Sequence, residues 1–159
     1  LENHLRSNDQ TLDDYQKLED AANQPFYKNA EGFIIIPSAA LYGMLVNAND
    51  EISSSARVQN IRTALKVSDF VTDKTAPDGK WERFAVVKSG TGMQLSNQRS
   101  LRINQYIEEF AATGTIDIDA EMVKPEALVN LLKFAGRVVG LGSSRKMGWG
   151  RFIVAENKK

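Results

Sequence analysis

A chain of 159 residues with 20 basic and 20 acidic side chains and no cysteine fits one domain, 1–159. That balance argues against a general polyelectrolyte binder, which would usually carry an excess of Lys and Arg, so any anion site has to be local. Disulfides and thiolate metal sites are excluded too, and the single histidine, His4, cannot build a zinc centre alone.

No apolar run approaches the roughly 20 residues that span a bilayer. No charged-then-apolar leader is read at the start, so the expected compartment is the cytoplasm, without membrane contact. The N-terminal segment, 1–31, is polar and acidic, with Asp9, Asp13, Asp14, Glu19, Asp20 and Glu31. Leu12, Tyr15 and Leu18 fall at i, i+3 and i+6 and predict a short surface helix. Asn29 to Gly32 reads as a turn.

Phe33-Ile34-Ile35-Ile36 is a compact, largely β-branched run and predicts a buried strand. Pro37 stops it and suits the first turn of a helix. Leu41, Met44, Leu45 and Ala48 then mark one apolar helical face that ends near 47–50. Residues 50–63, with Ser53-Ser54-Ser55, read as a flexible loop carrying Arg57 and Arg62, which either clamp a ligand or are simply solvated. Residues 64–71 predict a strand, with a Pro77-Asp78-Gly79 turn behind it and its partner strand at 81–87, where Trp81 reads as core. Ser89 to Gly92 breaks that strand.

Residues 100–107 and 110–120 look extended. In the second, Ile116 and Ile118 alternate with Asp117 and Asp119, the mark of a strand with one wet face, and Thr113-Gly114 suggests a bend. Arg99 and Arg102 open the first of these segments; it reads as a wet sheet face, with a hairpin reaching along nucleic acid as the functional alternative. Pro125 opens the clearest helix, with Leu128, Leu131, Leu132 and Ala135 on one face and Gly136 or Gly140 as its stop. A final strand is predicted at 151–154. The order strand, helix, strands, helix, strand predicts an α+β fold. The expected form is a ferredoxin-like βαββαβ antiparallel sheet, with helices on one face and a C-terminal glycine-rich loop.

That loop, 140–150, concentrates the chemistry. Gly140, Gly142, Gly148 and Gly150 surround Ser143, Ser144, Arg145, Lys146 and Trp149, with Arg151 next. Glycine permits positive φ and close approach of a ligand to main chain, and successive N–H groups in such turns make concave anion nests. Arg and Lys add charge and forked donors, and Trp149 offers a stacking face for a base. The loop follows a helix and opens a strand, the reverse of a dinucleotide fingerprint, and lacks the Gly-Lys-Ser/Thr of a P-loop. The structural alternative is a plain glycine turn with Trp149 buried.

Ile36-Pro37-Ser38-Ala39-Ala40-Leu41-Tyr42-Gly43 resembles the I-P-x-S-S-L-K-G segment of RAMP proteins, the RNA-binding subunits of CRISPR effector complexes. Residues 140–152 resemble their G-x-G-x-x-R-x-x-G-x-G-R-F loop. His4, Glu19 or Asp20, Tyr27, Gly32, Ile36 and Pro37 are similar to the opening of small phage-encoded RAMP-like proteins. The resemblance implies a ferredoxin-like fold and contact with single-stranded RNA or DNA. Arg145, Lys146, Arg151 and the loop glycines would then face the backbone. Tyr42 stands where that family usually has a basic residue.

The expected function is non-catalytic binding of a single-stranded nucleic acid by its phosphates. The expected site is Gly140, Gly142, Ser143, Ser144, Arg145, Lys146, Gly148, Trp149, Gly150 and Arg151, with Arg57 and Arg62. No cofactor or metal is expected, and a copy of the chain or a CRISPR-like complex is a further expected partner. His4 alone cannot supply an acid–base pair. Asp117 and Asp119 could hold a divalent ion in a nuclease, although a solvated strand face is the commoner use of such a pair. Neutral charge favours the rival reading, a phage protein-interaction factor or self-assembling protein that mimics a RAMP subunit.

Overall fold

The computed structural model describes residues 23–89, 96–143 and 145–155, with backbone alone at 23–24, 82–89 and 96–102. The predicted 12–18 helix, His4, the break at Gly90-Thr91-Gly92 and Ser144 lie outside the described residues.

The chain is α+β. Strand β1 is Asn23–Gln24 and β2 is Ile35–Ile36, followed by helix α1, Ser38–Glu51. Pro37 precedes α1 as expected, and the Asp69 carboxylate accepts a 2.7 Å hydrogen bond from the Ser38 N–H. An anion there satisfies an orphan donor and complements the helix dipole. The predicted stripe is the buried face: Leu41, Met44, Leu45 and Ala48 are all buried.

Residues 50–63, read as a loop, hold a 3-10 turn at Ser54–Ala56 and a short helix α2, Ile61–Ala64. Three apolar anchors, Val58, Ile61 and Ala64, are buried. Asn49 holds the segment against α1: its Nδ2 donates to the Val58 carbonyl at 3.0 Å, and its Oδ1 accepts from the Val58 N–H at 2.8 Å. Serine-rich composition hid these widely spaced anchors.

The predicted 64–71 strand divides into β3, Leu65–Val67, and β4, Phe70–Thr72. The predicted 110–120 strand divides likewise into β7, Ala112–Thr113, and β8, Ile116–Ile118. β3 pairs with β8 and β4 with β7, both antiparallel. Across the interruption the Ser68 N–H donates to the Thr115 carbonyl at 3.0 Å, and the Thr115 N–H donates to Ser68 Oγ at 2.9 Å. The Phe70 ring lies over Gly114, where a β-carbon would collide with it. The strand is interrupted where a bend is predicted, and the missing side chain at Gly114 leaves room for that ring.

Strand β5, Gly79–Ser89, does not return along β4 as expected. It pairs with β6, Ser96–Tyr106, in an unbroken eleven-residue antiparallel register, and β1 adds in parallel to β6. Carboxylates redirect the chain. Asp73 Oδ1 accepts from the Ala111 N–H at 3.0 Å, and Asp78 Oδ2 accepts from the Glu108 N–H at 2.7 Å. Segment 73–78 is thus clipped to the chain beyond β6. The described strands form three small sheets, β1-β6-β5, β2-β4-β7 and β3-β8, instead of one.

Helix α3, Pro125–Phe134, continues as a π-helical turn, Ala135–Val139. Leu128, Leu131, Ala135 and Val139 meet the α1 stripe in one core, with Leu65, Val67, Ile116 and Ile118 packed against it. Among the described residues no helix is long and apolar enough to cross a membrane.

Candidate nucleic-acid interface

Gly140 ends the π turn, the second of its two predicted stops. Its φ is +76° and its N–H donates to the Ala135 carbonyl at 2.8 Å. The loop that follows is closed at its base: the Leu141 N–H donates to the Gly150 carbonyl at 2.9 Å, and the Phe152 N–H to the Gly136 carbonyl at 3.2 Å. Gly150 is needed for that closure, because a β-carbon there would strike the Leu141 carbonyl oxygen. Phe152 packs against the core. Residues 151–155 form no strand, contrary to expectation. Their main chain approaches glycines at the end of a helix instead of joining a sheet edge.

The tip differs from the base. Gly142 and Gly148 take φ of +76° and +90°, and a β-carbon at either would meet open space. Between them Arg145–Met147 makes one 3-10 turn, closed by the Gly148 N–H donating to the Arg145 carbonyl at 3.0 Å. Gly142, Ser143, Arg145, Lys146 and Arg151 are all exposed. Among the described residues, the N–H groups of Gly142 and Ser143 make no backbone hydrogen bond, and Arg145, Lys146 and Arg151 form no ion pair. A positive tip thus stands on a base closed by backbone hydrogen bonds. Arg145 and Lys146 lie on a turn between positive-φ glycines, and both are exposed.

Trp149 is neither buried nor a free face. It is 43% exposed, and its ring meets Tyr106 edge-on, with centroids 5.8 Å apart at 62°. Tyr106 in turn lies over Gly79, its register partner, whose β-carbon would sit 2.6 Å from the hydroxyl oxygen. Gly148, Trp149, Gly150, Met147 and Arg151 line an open hollow of about 300 Å3. Tyr106 had no local sequence signal, since only the tertiary register places it beside the loop.

Arg57 and Arg62 gather elsewhere, around Asp50 at the end of α1. Arg57 Nη2 donates to the Asp50 carbonyl at 2.9 Å, and Arg62 Nη2 lies 3.9 Å from its Oδ2. Tyr42 also reaches this end, its hydroxyl donating to the Arg62 carbonyl at 3.0 Å. Asp117 stands opposite Lys66 in the β3–β8 register, and Asp119 Oδ1 accepts the Glu121 N–H at 3.0 Å in a local turn. Among the described residues no three acidic or histidine side chains are grouped to hold a metal ion. A second groove, of about 410 Å3, lies between Ile52, Ser53 and Ala56 on one side and Asn130, Lys133, Phe134 and Arg137 on the other. Lys133 and Arg137 are one helical turn apart on its α3 side.

Compared with known protein families and with curated proteins, the chain matches none.

Proposed function

We propose that the chain is a non-catalytic binder of single-stranded nucleic acid that grips phosphates with the tip of its glycine-rich loop. The observation that carries this reading is the contrast within the loop, where a base closed by backbone bonds presents exposed Arg145 and Lys146 between two positive-φ glycines. Open main-chain N–H groups and exposed cations are the donors a phosphate needs. Binding is therefore sequence-tolerant and salt-dependent. Trp149, half exposed, supports a stacked base beside the gripped phosphates. A RAMP-like, ferredoxin-like relationship belongs to this proposal. It is supported by α1 and α3 packing together over β3 and β8, while the separation of the strands into three sheets is a departure from it.

The test is titration of labelled single-stranded RNA and DNA at low salt. The wild-type chain is expected to bind both, and Arg145→Ala with Lys146→Ala to weaken binding about tenfold for every sequence. Binding of neither nucleic acid rejects the reading. A second reading, docking of a protein partner or of another copy, is favoured by the 69% exposed Met147 and 95% exposed Ile153 near the loop. Recovery of one stoichiometric partner, lost in Met147→Ser, with no nucleic acid retained, selects it.

A further inference from the structure

The groove between the segment after α1 and helix α3 is lined by two cations and no carboxylate. Asn130, Lys133, Phe134 and Arg137 fall at i, i+3, i+4 and i+7, so α3 and its π turn present them as one stripe. Ile52 and Ala56 stand on the facing wall. Ile52 and Phe134 are half-buried and pack against the core, which makes the deep part of the groove apolar.

Lys133 and Arg137 are both exposed, and among the described residues neither forms an ion pair. Asp50, two residues before Ile52, is already engaged by Arg57 and Arg62. Like charges one helical turn apart repel. The groove is thus an apolar cleft with one positive wall, and no carboxylate in its lining offsets that charge.

We propose that this groove docks an acidic segment of a partner protein, whose carboxylates meet Lys133 and Arg137 and whose apolar side chain between them meets Ile52 and Ala56. Charge complementarity selects the occupant. One helical turn advances about 5.4 Å along the axis. Alternate side chains of an extended chain lie about 6.6 Å apart, and the residue between them turns the opposite way. A run of acidic, apolar and acidic residues therefore matches both walls. A phosphodiester strand would use the cations and leave the apolar part unfilled. The exposed Ser53 and Asn130 offer hydrogen-bonding groups to the docked main chain. No residue of the glycine-rich loop lines this groove, so the proposal goes beyond the function proposed above and does not depend on it.

The test is fluorescence anisotropy with a short labelled peptide, Glu-Leu-Glu between Gly-Ser flanks, at low salt. The wild-type chain should bind it, and Lys133→Gln with Arg137→Gln should weaken binding about tenfold. Changing both Glu of the peptide to Gln, or its Leu to Ser, should lower affinity about as much. Ala56→Glu sets a carboxylate in the groove and should also weaken binding. All three substituted positions are exposed, so the melting temperature should stay near that of the wild type. Arg145→Ala with Lys146→Ala should bind the peptide as the wild type does. A labelled single-stranded oligonucleotide is the second probe. If the Lys133 and Arg137 variant loses oligonucleotide binding and keeps the peptide, the groove belongs to nucleic acid and the proposal is overturned. Absence of peptide binding in the wild type, or binding unaltered by the groove variants, overturns it as well. The loop reading is judged separately, by the effect of Arg145 and Lys146 on the oligonucleotide.

Discussion

The Leu141 N–H and the Gly150 carbonyl are 2.9 Å apart, and this single hydrogen bond divides the glycine-rich loop into a closed base and an open tip. Glycines on the two sides of that bond do different work. At Gly150 a β-carbon would collide with the Leu141 carbonyl in addition to straining a φ of +76°. At Gly142 the φ is the same but the space is open.

Gly150→Ala is therefore expected to destabilise the fold by roughly 3 kcal/mol or more, combining backbone strain with overpacking. Gly142→Ala should lose only about 1 kcal/mol, the strain of the left-handed conformation alone. Urea denaturation of the two variants checks this. Equal losses would mean that the base is not closed as described.

Asn49 and Val58 predict a second large effect. The buried amide satisfies both main-chain groups of Val58 at once. Asn49→Ala leaves a buried N–H and a buried carbonyl unpaired and is expected to lose roughly 2–4 kcal/mol. Asn49→Asp keeps the acceptor but removes the donor and buries a charge, so it should lose stability above the carboxylate pKa and recover part of it on acidification. Thermal melts at two pH values measure this. A loss below about 0.5 kcal/mol in both variants contradicts the tie, because that is the range of ordinary surface substitutions.

The two arginine groups should separate in binding assays. Arg57 and Arg62 are occupied with Asp50 in an exposed setting, where such pairs contribute below about 1 kcal/mol to stability. Arg57→Ala with Arg62→Ala is expected to leave the melting temperature nearly unchanged and to weaken nucleic-acid binding less than Arg145→Ala with Lys146→Ala. Fluorescence anisotropy with the two double variants side by side decides. A larger loss from the first pair would move the interface to the end of α1.

Both long helices were legible because their apolar stripes repeat at helical spacing and are bounded by Pro37, Pro125 and Gly140. The mixed α+β class followed from them. Strand pairing was not legible. Nothing local in residues 81–87 distinguishes pairing with 64–71 from pairing with 96–106. Asp73 and Asp78, whose carboxylates bind main chain 38 and 30 residues away, tie the chain into the observed course. The final strand is absent for a related reason: Arg151 to Val154 has strand-like composition, but its neighbour is a helix end. In the loop, composition marked the basic tip, while the split between tip and base depends on which glycines face another backbone. Tyr106, which holds Trp149, emerges only from the register of β5 with β6.

The salt dependence of single-strand binding tests the central claim most directly. Across a series of salt concentrations, the wild-type chain should show a linear fall of log affinity with log salt. Arg145→Ala with Lys146→Ala should lower that slope by about 1.4, two phosphates at roughly 0.7 each. A slope near zero in the wild type, or one unaltered by the double substitution, would contradict a cationic tip that grips phosphate.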